Sequence, residues 1–293
     1  MFATAMPIYL DYNATAPLRP AAIVAMTAAL GVPSNPSSVH KFGREARLQV
    51  ETARQKIAHL IGGRSDELTF TSGGTEANNL VLSGFNTVIA SRIEHDAVLD
   101  ARRDALLVDV DERGVINFDM LGMMLSDLSA EDKKSVLVSV MAANNETGVR
   151  QPLQAITELC HQHGVAVHSD MVQLVGKYRV SLAEFDLDFA TISAHKIGGP
   201  AGVGALWCKA GRRLPAIIRG GGQEKGMRSG TENVIGIIGF GAAADAAASE
   251  IEADEISRNL AKWHAAFAQT IRAACPGISI LGGGADGLFN TTG

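Results

Sequence analysis

The sequence is poor in cysteine, and its cysteines are not arranged for cross-linking or for metal binding. Three of its 293 residues are cysteines, Cys160, Cys208 and Cys275, and no two of them have CxxC spacing. This pattern indicates neither a disulfide framework nor a zinc knuckle, and it favours a reducing, cytoplasmic location. Cys160 falls in a helical pattern, Cys208 in an apolar strand and Cys275 just before a predicted last strand. We therefore expect all three to be buried or structural rather than reactive.

Long apolar runs and an excess of positive charge are missing as well. No uninterrupted apolar stretch reaches the roughly 20 residues that span a bilayer, and the N-terminus lacks the basic and apolar regions of a signal peptide. The net charge of −5 at pH 7 provides no general attraction for nucleic acid or for an anionic membrane. We expect neither of these as a partner, which favours small-molecule chemistry.

The composition that remains is that of a folded α/β protein. Apolar residues make up 46% of the chain, charged residues 19% and aromatic residues only 5%. Short runs rich in β-branched residues alternate with segments of helical period, which predicts βα units around a mainly parallel, doubly wound sheet. The predicted strands are Glu67–Thr71, Thr87–Ser91, Ala105–Val110, Ser135–Met141, Val165–Ser169, Phe189–Ser193 and Ala205–Cys208. The predicted helices are Gly43–Ile61, Thr75–Leu82, Asp96–Arg102, Phe118–Leu128 and Leu153–His163.

The chain after Gly230 has a different character. Thr231–Ala274 is rich in alanine and contains no proline, which predicts a long helix or a helix pair that leaves the sheet. Gly277–Leu281 then predicts one strand of a further unit. Because 293 residues exceed the usual size of a single domain, we expect a large domain followed by a smaller one.

Polar residues just after the predicted strands are candidates for a ligand site, because ligands of open parallel sheets bind at the carboxyl ends of the strands. In TSGGTEANN, Thr71–Asn79, a strand runs through Gly73 and Gly74 into a helix that begins near Thr75. Free backbone N–H groups at that helix start can bind a phosphate. The alternative is an ordinary turn capped by Ser72 or Thr75. The motif is neither a Walker A loop nor GxGxxG.

Two further strand ends carry weaker signals. Glu94 and His95 follow Thr87–Ser91, and a histidine there can stack on a planar ligand, act as an acid or base, or simply cap a helix. The NNETG segment, Asn144–Gly148, offers adjacent amides to a ligand, although such turns are also built from local hydrogen bonds.

The last two strand ends provide an acid and a lysine. Asp170 in HSDMVQ follows an apolar run, where an ionised carboxylate is costly unless it faces a cation, either a structural partner or a protonated cofactor ring with Gln173 nearby. Lys196 in TISAHKIGGPAGVG follows the next strand, and desolvation there favours the free amine, which can form a Schiff base. A lysine paired with an acid is the alternative. An activated lysine, a phosphate cradle, a ring-facing carboxylate and a histidine together match the needs of pyridoxal 5′-phosphate.

Eight short motifs follow one another along the chain: LDYNATAP, NPSSVHKFGR, TSGGTEANN, EHDAV, NNETGV, HSDMVQ, SAHKIGGPAGVG and GGGQEKGMRSGTEN. In this set and order the sequence, from Tyr9 to about Asn233, resembles cysteine desulfurases of the NifS/IscS type, which have the class V aminotransferase fold. The resemblance implies a pyridoxal-phosphate-dependent transferase of fold type I, with a mainly parallel sheet in a large domain and an incomplete small α+β domain. It assigns residues 1–20 to the small domain, 21–235 to the large cofactor-binding domain and 236–293 to the incomplete small domain.

The resemblance also implies a role for each site residue. Lys196 would carry the cofactor and move the Cα proton of the substrate, and Asp170 would pair with the pyridine nitrogen. Gln173 would hydrogen-bond the phenolic oxygen of the ring, and His95 would stack on the ring and assist proton transfer. Asn145 would position the ring oxygen and the substrate carboxylate. The phosphate would be bound by Gly74, Thr75, Ser193 and His195 and, across a homodimer, by Thr231 of the neighbouring subunit.

The activity that the resemblance implies is that of a sulfurtransferase. Such an enzyme converts L-cysteine to L-alanine and passes the sulfur on as a persulfide, to an iron–sulfur scaffold or another acceptor protein. The family's nucleophilic loop cysteine and its carboxylate-binding arginine have no counterpart before Gly293, so we expect a truncated chain that is inactive in sulfur transfer. The alternatives are a selenocysteine lyase-like or other β-eliminating pyridoxal-phosphate enzyme, and a non-catalytic fragment that binds the cofactor or dimerises.

Overall fold

The computed structural model describes residues 8–293, apart from the side chain of Ile256. Residues 1–7, the first part of the predicted segment 1–20, lie outside the described residues. The strands are β1 (Leu68–Thr71), β2 (Thr87–Ser91), β3 (Leu106–Val108), β4 (Val136–Ser139), β5 (Ala166–Asp170), β6 (Phe189–Ser193) and β7 (Gly204–Cys208). The α-helices are α1 (Pro20–Ala29), α2 (Lys41–Leu60), α3 (Gly74–Leu82), α4 (Asp96–Leu99), α5 (Phe118–Ser126), α6 (Leu153–Gln162), α7 (Leu182–Phe185), α8 (Val234–Ala253) and α9 (Glu255–Ala274).

The seven strands form one sheet in the order β1-β7-β6-β5-β4-β2-β3. The neighbours from β6 to β3 are parallel, and β7 runs antiparallel to both β6 and β1. Each strand lies where the apolar runs predict it, with ends that differ by about two residues or fewer, as local signals allow. The prediction of a mainly parallel α/β sheet is confirmed.

Helices cover both faces of the sheet, which explains why its central strands are apolar along their whole length. β4, β5 and β6 are buried at every position. One apolar cluster joins the sheet to α2, α5, α6 and α8, and a second cluster joins it to α3 and α4. A sheet packed on both faces cannot alternate polar and apolar residues.

The Ala-rich segment after Gly230 is a helix pair. It is interrupted at Asp254, whose φ of +53° lies in the left-handed region. Within the described residues, α8 alone is long and apolar enough to cross a membrane by length and composition, but half of its most apolar stretch is buried in the protein. Its first half belongs to the core next to α2. The predicted domain division at residue 235, next to the start of α8, stays a prediction.

Two expectations for the end of the chain are wrong. Gly277–Leu281 is irregular rather than a strand. A strand needs a neighbour for its backbone hydrogen bonds, and here Ile278 and Leu281 are exposed to 46% and 59%. Cys275 is exposed as well, because no strand follows to cover it, whereas the expected burial of Cys160 and Cys208 is confirmed.

Candidate functional site

A cavity of about 450 Å³ opens where β5 and β6 end, at the carboxyl edge of the parallel strands. Nine of the ten residues predicted for the site line it, namely Gly74, Thr75, His95, Asn145, Asp170, Gln173, Ser193, His195 and Lys196. Thr231 does not line this cavity. It is exposed and lies beside a smaller pocket of about 110 Å³. Five of the eight sequence motifs therefore contribute these nine residues to one cavity, and the role of each residue stays a prediction.

Asp170, the last residue of β5, presents a buried carboxylate to this cavity. Its Oδ2 accepts a hydrogen bond from Asn78 Nδ2 at 2.8 Å, and its Oδ1 accepts one from the backbone N–H of Val172 at 3.0 Å. Burial raises the pKa of Asp170, although the two hydrogen bonds and the charges of His95 and Lys196 oppose the shift. A cation placed in the cavity would favour the ionised form.

Lys196 lies in a single 3₁₀ turn directly after β6 and reaches the N-terminal segment of the chain. Its Nζ donates to the backbone carbonyls of Ala14, at 3.0 Å, and Asn13. Burial lowers the pKa of Lys196, while the carboxylates of Asp170 and Asp11 oppose this effect. The free amine is therefore more abundant than for a lysine in water, as nucleophilic chemistry at this atom requires.

Gln173 is held at both ends of its side-chain amide. Its Nε2 donates to the backbone carbonyl of Asn13 at 3.0 Å, and its Oε1 accepts from Lys177 Nζ at 2.7 Å. Lys177 also donates to Asn13 Oδ1 at 3.0 Å. Asn13 Nδ2 in turn donates to the carbonyl of Asn145 at 2.9 Å. Sequence reasoning missed both residues, although Asn13 lies in the motif LDYNATAP and Lys177 follows HSDMVQ by four residues.

The start of α3 and the turn after β6 also line the cavity. The first N–H groups of a helix have no partner within the helix, and those of α3 begin at Gly74. A Cβ on Gly74 would lie 3.2 Å from Val172 Cγ2 and 3.8 Å from Ser193 Cβ, so a side chain at this position would crowd this part of the cavity. His195 Nδ1 lies 3.2 Å from Thr15 Oγ1, and burial, assisted by the Lys196 charge, lowers the pKa of His195.

His95 is the N-cap of α4, and this contact fixes the tautomer of its neutral ring. Its Nδ1 accepts the backbone N–H of Ala97 at 3.0 Å, so a neutral ring carries its proton on Nε2. The neighbouring Glu94 is buried and accepts the backbone N–H of Met141 at 2.5 Å. Glu94 thereby joins the loop after β2 to the loop after β4, and it does not line the cavity.

Asn78 is a further site residue that sequence reasoning left unassigned. It is fully buried on α3, lines the cavity and binds Asp170. Its Oδ1 has no hydrogen-bond partner within the described part of the chain. The sequence signal for Asn78 was the Asn78–Asn79 pair at the end of TSGGTEANN, because a helix that faces the sheet would be expected to carry apolar residues there.

The loop 220–233, which carries Thr231, is anchored by a buried ion pair. Arg54 donates from Nη1 and Nη2 to the two carboxylate oxygens of Glu224, each at 2.8 Å. Glu224 also accepts the backbone N–H of Phe70 on β1 at 2.7 Å, and the Arg54 guanidinium stacks 4.5 Å from the centre of the Phe70 ring. The loop is therefore fixed to the sheet at its edge strand.

The fold and this cavity define a class V aminotransferase: the family model described as aminotransferase class-V matches residues 8–287, and the chain belongs to this family. A curated cysteine desulfurase IscS from Dictyoglomus turgidum is 42% identical over 267 residues, which cover 86% of this chain and 66% of that protein. The X-ray structure of a NifS-like protein from Rickettsia africae matches with a TM-score of 0.91 and 35% identity, covering 97% of this chain and 80% of that one. A structure of SspA in complex with cysteine matches at 28% identity and a TM-score of 0.75, covering 82% and 72%.

The match covers most of this chain but only part of each curated relative. The chain spans 64 to 66% of the length of the IscS proteins compared, which is just under two thirds. The family and the fold that the sequence motifs imply are confirmed.

Proposed function

We propose that this chain provides the cofactor-binding and substrate-binding part of a pyridoxal-phosphate-dependent cysteine desulfurase. The observation that carries the proposal is the convergence of Lys196, Asp170, Gln173 and His95 on one cavity at the carboxyl ends of β5 and β6. The names of the IscS and NifS-like relatives support this assignment, and the SspA structure with cysteine supports L-cysteine as the substrate.

The residues that line the cavity fit pyridoxal phosphate in charge and in size. Asp170 is a carboxylate whose pKa is raised by burial, and a protonated pyridine nitrogen beside it would favour the ionised form. The start of α3, Ser193 and His195 offer hydrogen-bond donors to a phosphate, and Gly74 leaves room beside Val172. Lys196 provides an amine for the aldehyde group.

The chain's own residues then bind the substrate and move a proton. Pyridoxal phosphate, when bound, supplies an electron sink for the pair that remains on Cα after proton loss. The Lys196 amine can accept that proton at Nζ, because burial favours its free form at neutral pH. His95 can donate a hydrogen bond from Nε2–H toward the substrate sulfur, since its Nδ1 is occupied by the N–H of Ala97. Asn145 can bind the substrate carboxylate through its side-chain amide.

Among the described residues that line the cavity there is no cysteine, so a thiol that accepts the sulfur would have to come from outside this lining. Burial raises the pKa of Cys160 to about 12 and that of Cys208 to about 11, which leaves both as unreactive thiols. We further propose a homodimer in which Thr231, exposed on the anchored loop, serves the site of the other subunit. An iron–sulfur scaffold or another acceptor protein and a cytoplasmic location stay predictions from the sequence.

Exchange of the Cα proton tests the proposal without requiring a sulfur acceptor. The purified chain is mixed with pyridoxal phosphate and L-alanine, the expected product, in D₂O, and loss of the Cα proton is followed by NMR. We expect a visible absorption band and steady exchange in the unaltered chain, and neither in Lys196→Ala. Lys134→Met, at the opposite end of β4 from the cavity, should match the unaltered chain.

Each outcome favours one function over the others. Exchange that is equally fast in Lys196→Ala would refute the role of this lysine. Incubation with L-cysteine should give no sustained alanine if the chain is inactive in sulfur transfer, and sustained alanine formation would overturn that expectation. Pyruvate and sulfide would indicate a β-eliminating enzyme. A visible band without exchange or product would indicate a polypeptide that binds the cofactor but does not turn over.

A further inference from the structure

The amide of Gln173 is oriented by two groups, one at each end. The ammonium form of Lys177 only donates, and a backbone carbonyl such as that of Asn13 only accepts at any pH. Lys177 binds Oε1 at 2.7 Å and the carbonyl binds Nε2 at 3.0 Å. A rotated amide would set NH₂ against an ammonium and oxygen against oxygen, so one orientation is strongly preferred.

This orientation places the donor end of Gln173 beside the reactive lysine. The carbonyl of Asn13 accepts from both Gln173 Nε2 and Lys196 Nζ, so the two nitrogens share one acceptor and lie next to each other. In pyridoxal phosphate the aldehyde and the phenolic oxygen sit on adjacent ring carbons. A donor beside Lys196 is therefore suitably placed for that oxygen.

We propose that Lys177 is a positioning residue of the cofactor site, which acts with Asn13 to hold the Gln173 amide with its N–H donors toward Lys196. Lys177 itself is outside the cavity lining and works through Gln173. This inference deepens the proposed function and rests on it for its catalytic meaning, but the hydrogen-bond geometry belongs to the chain alone.

The local backbone explains how Lys177 reaches both partners. It follows Gly176, whose φ of +80° lies in the left-handed region, and a Cβ on Gly176 would lie 2.5 Å from Ile197 Cγ2. The glycine thus lets the turn after β5 pack against the turn that carries Lys196. Burial and the nearby Lys196 charge lower the pKa of Lys177 to about 7, and both its ammonium and its amine have the two hydrogens that these contacts need.

Hydrogen exchange of the Gln173 side-chain amide in the cofactor-free chain tests the inference directly. The chain is labelled with ¹⁵N-glutamine, and the Gln173 signal is identified by its absence in Gln173→Ala. In Lys177→Met, which keeps the length of the side chain but removes the donor, we expect the Nε2 hydrogens to exchange at least tenfold faster. The surface variant Lys134→Met should leave the rate unchanged.

The backbone N–H of Leu174 is an internal control that distinguishes a positioning role of Lys177 from a structural one. It lies in the same turn and donates to the carbonyl of Met171 at 3.0 Å. Its exchange should stay as in the unaltered chain. An unchanged Gln173 rate in Lys177→Met, or equal acceleration at Leu174, would overturn the inference. If Lys177→Met does not fold, the test uses Lys177→Gln, whose side chain still donates and should keep the Gln173 amide protected from exchange. Loss of that protection in Lys177→Gln would also overturn the inference.

A second readout uses the chain with pyridoxal phosphate. Loss of a donor to the phenolic oxygen disfavours its anionic form, so Lys177→Met should shift the pH midpoint of the visible band upward by about one unit. The same substitution in a Gln173→Ala background should produce no further shift. Equal shifts in both backgrounds would contradict action through Gln173. Failure of the unaltered chain to form a band would count against the proposed function, while the exchange result in the cofactor-free chain would still decide this inference.

Discussion

Replacing Glu224 by glutamine should destabilise the chain strongly, because the buried Arg54 guanidinium would then keep only the half-exposed Glu51 as an ionic partner. The two side chains are 4% and 3% exposed. Glu224 accepts three hydrogen bonds, two from Arg54 and one from the backbone of Phe70. In Glu224→Gln an NH₂ group faces one of the guanidinium N–H groups, which loses its acceptor at a cost of about 1–3 kcal/mol. Together with the lost charge, we expect the free energy of unfolding to fall by about 3 kcal/mol, near the lower limit for a broken buried pair.

Urea unfolding followed by circular dichroism, at one fixed protein concentration, measures this difference. The midpoint should fall while the slope with urea stays constant, since the surface exposed on unfolding does not change. The matched control is Asp245→Ala, which breaks the exposed Lys56–Asp245 pair at 2.9 Å and should cost less than about 1 kcal/mol. If Glu224→Gln costs no more than the control, the buried pair does not anchor the loop that carries Thr231.

Two further predictions concern the site and the thiols. Asp170→Asn should still bind pyridoxal phosphate, but its exchange of the L-alanine Cα proton in D₂O should fall by about 100-fold, because a neutral partner no longer stabilises a protonated ring nitrogen; exchange at the unaltered rate would contradict that role. In the native chain at about pH 8, Ellman's reagent should react rapidly with Cys275 alone, because the raised pKa values of Cys160 and Cys208 suppress their thiolates. All three cysteines should react in urea. Rapid reaction of a second thiol in the native chain would show that Cys160 or Cys208 is accessible to the reagent, against this prediction.

The parts of the fold that could be predicted are those determined by short stretches of neighbouring residues. β5 and β6 are short buried strands with polar residues at or just after their ends, so both the strand and the site residue near its end follow from neighbouring positions. Lys196 and Asp170 were found for that reason. α1 was missed because PAAIVAMTAA is apolar on all sides and shows no helical period, and it is held by packing against α8.

The parts that could not be predicted depend on contacts between distant segments. Asn13 and Lys177 are 164 residues apart, and Arg54 and Glu224 are 170 apart, yet each pair is joined by hydrogen bonds. Nothing near Asn13 in the sequence indicates that it binds a residue after β5. The strand expected at Gly277–Leu281 failed for the same physical reason, since a strand requires a partner that local sequence does not reveal.

The position of β7 between β1 and β6 sets the order in which the sheet can be completed during synthesis. β1 is an edge strand of the described sheet and pairs with β7 alone, with Leu68 opposite Trp207. A ribosome therefore makes β1 early but must deliver the chain through β7 before β1 has a neighbour. The turn at Gly74 follows β1 directly, so the nascent chain cannot complete the cavity at the ends of β5 and β6 until the second half of the sheet has been synthesised.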